Sequence, residues 1–187
     1  MIPPLVLWRS HWPTSDPVFR RPTVLCGSIC IVPSEPDRPN PVGLSHLGLS
    51  VSNLERSISF YCDVLGATLA RTPYDGDSPA FSGRMAVVII GSLILDLFEH
   101  SGNGGGQFDP SRTGLDHLAF VAQTFEELQQ WAAWLDLHAV RHSEIRDAQG
   151  MGAMFDFADP DGIQLEFTFV DPEKLRQLAE LAAAESQ

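Results

Sequence analysis

Two histidines and two carboxylates in this chain have the types and the spacing to hold one divalent cation. His46 lies in Gly43-Leu-Ser-His-Leu-Gly-Leu-Ser-Val51 and His117 in Gly114-Leu-Asp-His-Leu-Ala-Phe-Val121, so Gly-Leu-x-His-Leu is written twice. Both runs alternate apolar and small residues, the pattern of a half-buried strand. Side chains alternate across a strand, so Leu47, Leu49 and Val51 share one face while His46 shares the other with Gly48 and Ser50. Leu118 and Phe120 oppose His117 and Ala119 in the same way. The carboxylates follow suit. Asp96 shares a face with Ile94 and Phe98, opposite Leu95 and Leu97; Glu166 joins Gln164 and Thr168, opposite Ile163, Leu165, Phe167 and Phe169. Imidazole with carboxylate suits a divalent first-row metal, and two His with one carboxylate leave positions open for a ligand. Burying these groups with no metal or partner would be costly.

A lone strand histidine is ordinarily a core or surface residue. What raises these two above that reading is the period. The histidines stand 71 residues apart, the helix-start patterns at Ser52 and Thr124 stand 72 apart, and Asp96 and Glu166 stand 70 apart. Three landmarks at one period describe a duplicated module.

Each module must supply strands to carry these residues and a helix to cover the opposite face. Ser52-Asn-Leu-Glu55 is a capping box, followed by Leu54, Ile58, Tyr61 and Leu65 at helical spacing and Gly66 as the stop. A strand is expected over 67–72, a loop bordering a site over 74–83, and a hairpin of 85–90 and 92–99 joined through Gly91. Ser101-Gly-Asn-Gly-Gly-Gly106 is a flexible linker. Thr124-Phe-Glu-Glu127 opens the second helix, with Phe125, Leu128, Ala132 and Leu135 as its buried stripe and Trp131 and Trp134 packing beside it. Strands are expected over 139–145, 153–158 and 163–170, with Asp159-Pro-Asp-Gly162 as the last turn. Asp171-Pro172 then starts a helix whose Leu175, Leu178 and Leu181 need a surface to pack on.

The chain's net charge is −12 over 187 residues, and residues 1–41 carry four arginines against three carboxylates, so the acidity lies wholly in the rest. Such a domain repels phosphate backbones, which excludes nucleic acid as a partner. Nine of the fourteen prolines fall in residues 1–41, which read as an extended, disordered extension. Its apolar run, 23–32, is too short to span a bilayer. Cys26 and Cys30 have no second pair to complete a zinc site, and three cysteines make no disulfide framework, so a cytoplasmic chain without membrane contact is expected.

Over roughly 42–170 the chain resembles the vicinal oxygen chelate superfamily: glyoxalase I, extradiol dioxygenases, fosfomycin-resistance transferases and bleomycin-resistance proteins. The resemblance rests on His46-Leu-Gly-Leu, Phe60-Tyr-x-x-Val-Leu-Gly66, His117-Leu-Ala-Phe and Asp159-Pro-Asp-Gly-Ile-Gln-Leu-Glu166. It implies an α+β fold of two tandem βαβββ modules, whose curled mixed sheets enclose a metal-binding cleft. The domain plan is an extension at 1–41, module one at 42–100, a linker at 101–113, module two at 114–170 and a C-terminal helix at 171–187. The resemblance carries metal ligation to His46, His117 and Glu166. Asp96 matches a fourth position where glyoxalase I has Glu, and is one methylene shorter.

Three functions stay open. The first is a glyoxalase I-like lyase or isomerase, with a divalent cation (Zn, Ni, Co, Mn or Fe(II)) stabilising an enediolate and Glu166 or Asp96 as the proton-transfer base. The second is a two-His-one-carboxylate Fe(II) dioxygenase, against which the tyrosine expected ten residues before Glu166 is Asp156. The third is a non-catalytic binder of a drug or metabolite. Fosfomycin transferases match less well, having Thr where this chain has Gly48. The substrate is a small molecule. Loops at 73–83 and 101–112, with Arg71, Arg84 and Arg112, are expected to line or gate its site, and His100, His138 and His142 to be solvated. Module edges and the leucine stripe imply a homodimer. Whether His46 and His117 meet within one chain or across two is open.

Overall fold

The computed structural model describes residues 41–78 and 81–185; the expected extension, with Cys26 and Cys30, lies outside them but for Pro41. Module one runs β1 (Leu47–Ser50), α1 (Leu54–Ser59) with one continuing π-helical turn (Phe60–Val64), β2 (Thr68–Ser78), β3 (Phe81–Ile90) and β4 (Leu93–His100). Module two runs β5 (Leu118–Val121), α2 (Phe125–Leu137), β6 (Arg146–Asp147), β7 (Gly152–Ala158) and β8 (Gln164–Val170), and α3 (Pro172–Glu185) follows. The strands form two four-stranded mixed sheets, ordered β1-β4-β3-β2 and β5-β8-β7-β6. In each, the first strand lies parallel to the last: Gly48 pairs with Asp96 and Ala119 with Glu166. The duplicated α+β fold is therefore as the sequence period implies.

The helix-facing sides of both sheets join one continuous core. Leu49, Val51, Ala86, Val88, Leu95 and Leu97 come from the first, and Ala153, Phe155, Phe157, Leu165 and Phe167 from the second. The Asp159–Gly162 turn clips module two onto the β1–α1 corner. Asp161 accepts from the Ser52 amide (2.9 Å), the Ser52 hydroxyl (2.5 Å) and Arg56 (2.7 Å). Tyr61, fully buried, donates its hydroxyl to Asp159 at 3.1 Å. Trp134 Nε1 donates to the Val64 carbonyl at 2.8 Å, tying the two helices. Trp131 stacks on Phe167 with centroids 4.4 Å apart, so both tryptophans serve packing.

Four local expectations are corrected. Ser52 is committed to Asp161, so the cap of α1 is Asn53, whose Oδ1 accepts from the Arg56 amide at 2.8 Å. The segment read as a loop over 74–83 is mostly strand: Tyr74 pairs with Met85, Asp75 with Arg84 and Asp77 with Ser82, and ladder pairing overrides the turn-forming residues. No strand spans 139–145, because Ala139 sits at φ 55° and its amide, with that of Val140, closes the end of α2; only His142 bridges to Phe157. Phe125 stays exposed, and Leu128 and Leu135 alone are the fully buried positions of α2. The second capping box does form, with the Glu127 amide on Thr124 Oγ1 at 3.0 Å and the Gln123 amide on Glu127 Oε2 at 2.8 Å. The leucines of α3 are exposed. No helix among the described residues is long and apolar enough to cross a membrane.

Candidate metal centre

The two short parallel strands place the candidate donors. β1 and β5 begin one residue after His46 and His117, so each imidazole stands at the mouth of its sheet. Across the ladder, Asp96 projects from β4 on the face away from the core, and His46 Nε2 lies 4.0 Å from Asp96 Oδ2. Asp96 is partly buried and His46 exposed. A Cβ on Gly48, the ladder partner of Asp96, would meet the Phe98 ring at 3.1 Å.

In module two the equivalent pair is His117 and Glu166. Glu166 is one of few buried charged residues, 6% exposed, and its one protein hydrogen bond among the described residues is from the Thr168 hydroxyl to Oε1. His117 is half-exposed, and its Nδ1 donates to Asp116 Oδ1 at 2.7 Å. That hydrogen bond raises the imidazole above its ordinary pKa, with the charges of Glu166, Asp116 and Asp156 adding to it and desolvation opposing. A ring already held toward its cationic form by carboxylates sits where a bound cation would be favoured.

A cavity of about 730 Å³ opens in front of His117 and Glu166, and all its lining residues belong to module two. The wall beside Glu166 is a hydrogen-bonded lattice the sequence reading did not find. Arg146 grips Asp156, Glu166's neighbour on β7, through Nη1 to Oδ2 (2.5 Å) and Nη2 to Oδ1 (3.0 Å). Ser143 accepts from Arg146 (3.1 Å) and from the Asp156 amide (2.9 Å). The signal available in sequence was alternation: Asp156 shares a face with Met154, opposite Ala153, Phe155 and Phe157, as Glu166 stands opposite Leu165 and Phe167. His142 is largely buried at this wall, its Nδ1 donating to the Ser143 carbonyl at 2.7 Å, and is not the solvated residue expected. His138 is exposed against Trp134. His100 is half-buried and stacks on Phe98, with centroids 5.8 Å apart.

The expected gate residues are occupied elsewhere. Arg84 pairs with Glu55 at 2.5 Å and Glu99 at 3.5 Å, Arg71 lies 3.9 Å over the Tyr74 ring, and Arg112 pairs with Asp109 at 3.2 Å. The 101–108 segment lines a separate cavity of about 440 Å³ with Gly48, Ser50 and His100.

Thus the structure brings His46 to Asp96 and His117 to Glu166, and does not bring the two pairs together. Among the described residues, no three His, Cys, Asp or Glu side chains converge on one point. As donors the four still fit a divalent cation. Two imidazoles have Nδ1 engaged and Nε2 available, and a buried carboxylate has one oxygen without a protein partner.

A family model described as the glyoxalase/bleomycin resistance protein/dioxygenase superfamily matches residues 43–167. The chain is similar to YaeR of Escherichia coli, a protein without assigned function, at 30% identity over 122 residues, covering 65% of this chain and 91% of that one. It is similar to metallothiol transferase FosB of Staphylococcus epidermidis at 30% over 129 residues, covering 66% and 81%. Among solved structures, a glyoxylase/bleomycin resistance protein/dioxygenase domain from Frankia sp. EAN1pec superposes with TM-score 0.64 at 28% identity, covering 71% of this chain and all (100%) of that one.

Proposed function

Because the chain belongs to the glyoxalase/bleomycin resistance protein/dioxygenase superfamily, we propose that it is a divalent-metal-dependent enzyme that moves a proton on a small substrate offering adjacent oxygens, as glyoxalase I-type lyases do. The observation that carries this reading is Glu166: a buried carboxylate, on the same face as His117, bordering an open cavity, with only a hydroxyl for company. Such a group is expensive to bury without a cation or a proton to handle.

His46, His117, Glu166 and Asp96 would hold the cation, whose Lewis acidity would make a C–H next to a substrate carbonyl easier to ionise. Glu166 would take that proton and return it to the neighbouring carbon. The Thr168 hydroxyl steadies Oε1, so Oε2, the oxygen without a protein partner among the described residues, is the one that would meet either the cation or the proton. Asp96, shorter and less buried, is the alternative base. The Arg146–Asp156 clamp stiffens the wall behind Glu166. Since the donors form two separate pairs in one chain, a second copy would complete each site, His46 and Asp96 of one protomer facing His117 and Glu166 of the other. The half-exposed histidines support this, as do the edge positions of β1 and β5.

Thiol transfer is the second reading, favoured by the similarity to a protein named metallothiol transferase. Against it stands Gly48, which offers no hydroxyl. A dioxygenase fits less well, since Asp156 is locked by Arg146 where extradiol enzymes have Tyr.

Elemental analysis of protein purified without added metal, paired with assays on 2-oxoaldehyde–thiol adducts, on catechols with an oxygen electrode, and on epoxides with thiols, tests these readings. We expect bound divalent metal and chelator-sensitive turnover of the oxoaldehyde adduct. Thiol consumption by epoxide alone would favour the transferase, and oxygen uptake the dioxygenase. Tight ligand binding with no metal and no turnover would overturn the enzyme reading for a sequestering protein.

A further inference from the structure

Both candidate histidines are held from behind by the residue that precedes them. His117 Nδ1 lies 2.7 Å from Asp116 Oδ1, and His46 Nδ1 lies 3.2 Å from Ser45 Oγ. Ser45 and Asp116 fill the variable place in the repeated Gly-Leu-x-His-Leu, so the duplicated module keeps the contact while changing its chemistry. An ionised carboxylate has no proton to give, so the bond to Asp116 requires the ring proton on Nδ1 and leaves a lone pair on Nε2 of a ring that lines the cavity. A hydroxyl either donates or accepts, so Ser45 constrains His46 less and adds no charge.

We propose that Asp116 is a positioning residue for His117: it selects the tautomer that presents Nε2 and makes this imidazole the stronger donor of the two. The two histidines of a completed site are then unequal, a carboxylate-backed anchor and a hydroxyl-backed, more readily released ligand. This rests on the metal-centre reading above. A carboxylate behind a ligating imidazole raises its basicity and fixes its orientation, and losing such a partner typically weakens metal binding by about 10–100-fold. The bland alternative is an exposed ion pair between chain neighbours, which would leave both affinity and tautomer unchanged.

The test titrates Co2+, whose absorption reports its ligands, into the full chain and into Asp116→Ala, Asp116→Glu, Ser45→Ala and, as a charge control, Glu126→Ala on the exposed start of α2. In parallel, the ring nitrogens of metal-free protein are observed by NMR at a pH where the imidazoles are neutral. We expect Asp116→Ala to weaken Co2+ by about 10-fold or more and to shift His117 away from the Nδ1–H tautomer. Asp116→Glu should restore part of both, Ser45→Ala should do less, and Glu126→Ala nothing. Unchanged affinity and tautomer in Asp116→Ala would overturn the proposal, as would equal losses in Asp116→Ala and Glu126→Ala. If the unaltered chain takes up no Co2+, the metal-centre reading fails, and the tautomer comparison then decides by itself whether Asp116 sets the ring.

Discussion

Glu166 and Asp96 hold equivalent places in the two modules yet differ in side-chain length and in burial. Glu166 is buried where it lines its cavity, while Asp96 is partly open and stands 4.0 Å from His46 Nε2. Metal content should therefore survive Asp96→Ala and fall sharply in Glu166→Ala, measured by elemental analysis after dialysis. Equal losses in both would mean that Asp96 is as much a ligand as Glu166. All four candidate donors were legible in the sequence because each stands opposite the core-facing residues of its strand and recurs at one period. Asp116 was printed inside the same motif but is adjacent in chain, and alternation alone assigns it to the opposite face from His117. Its bond needs coordinates. The pairing of Arg146 with Asp156 was illegible for a different reason. They lie ten residues apart on the two arms of the β6–β7 hairpin, and the strand expected over 139–145 stops one residue short of Arg146, so its register against Asp156 was not set.

At the level of strands and turns, local signals failed wherever pairing overrode them, as with Tyr74, Asp75 and Asp77 in β2. Two glycines show the converse, a local demand not visible beforehand. Gly83 in β3 and Gly152 opening β7 hold the same place in the duplicate. A Cβ on Gly83 would meet the Glu99 carbonyl oxygen at 2.1 Å, with φ at 144°. Gly83→Ala should cost about 2 kcal/mol or more by combined overpacking and backbone strain, read from urea denaturation. Gly91→Ala, with open space around it, should cost only about 1 kcal/mol for its left-handed φ. The Asp159 turn was legible as a turn, but its role as a clip was not. Asp159 Oδ1 accepts from the amides of Asp161 and Ile163, and Oδ2 from Tyr61. Burial raises its pKa, with the Asp161 charge adding and the three hydrogen bonds opposing. A carboxyl whose folded pKa lies above its unfolded value contributes stability that is present below the unfolded value and lost as pH rises through the folded one. Asp159→Asn keeps the amide acceptor and has no such titration. Its urea midpoint should thus gain on the unaltered protein between pH 4 and pH 7. An equal slope in both proteins would place the titration elsewhere. Asp159→Ala strands three buried donors and should cost about 3 kcal/mol or more, at about 1 kcal/mol or more for each.

For the whole molecule, the repeat in sequence established two copies of one module, but a period carries no information about which concave faces meet. Within one chain the modules join through their helices, the shared core and the Asp159–Gly162 clip. This leaves β1 and β5 at the ends of their sheets. Apolar side chains stay open near those edges, with Leu44 at 72% and Val121 at 78% exposure. An unpaired strand edge beside apolar surface is a ready template for a second chain. Two copies in a closed two-fold arrangement would cover both edges of each and would bring each His46–Asp96 pair to a His117–Glu166 pair. The α3 leucines offer a further contact. We therefore expect a homodimer at micromolar concentration, and a strictly monomeric protein in sedimentation would remove this assembly. Ligand sharing has its own test. His46→Ala and His117→Ala should each bind metal poorly alone. After mixing under conditions where subunit exchange is shown, half of the sites in a mixed dimer would combine an intact His46 with an intact His117. Metal binding should recover toward one intact site per mixed dimer. No recovery despite exchange would place each site within one chain and would require the two modules to rearrange so that His46 reaches Glu166.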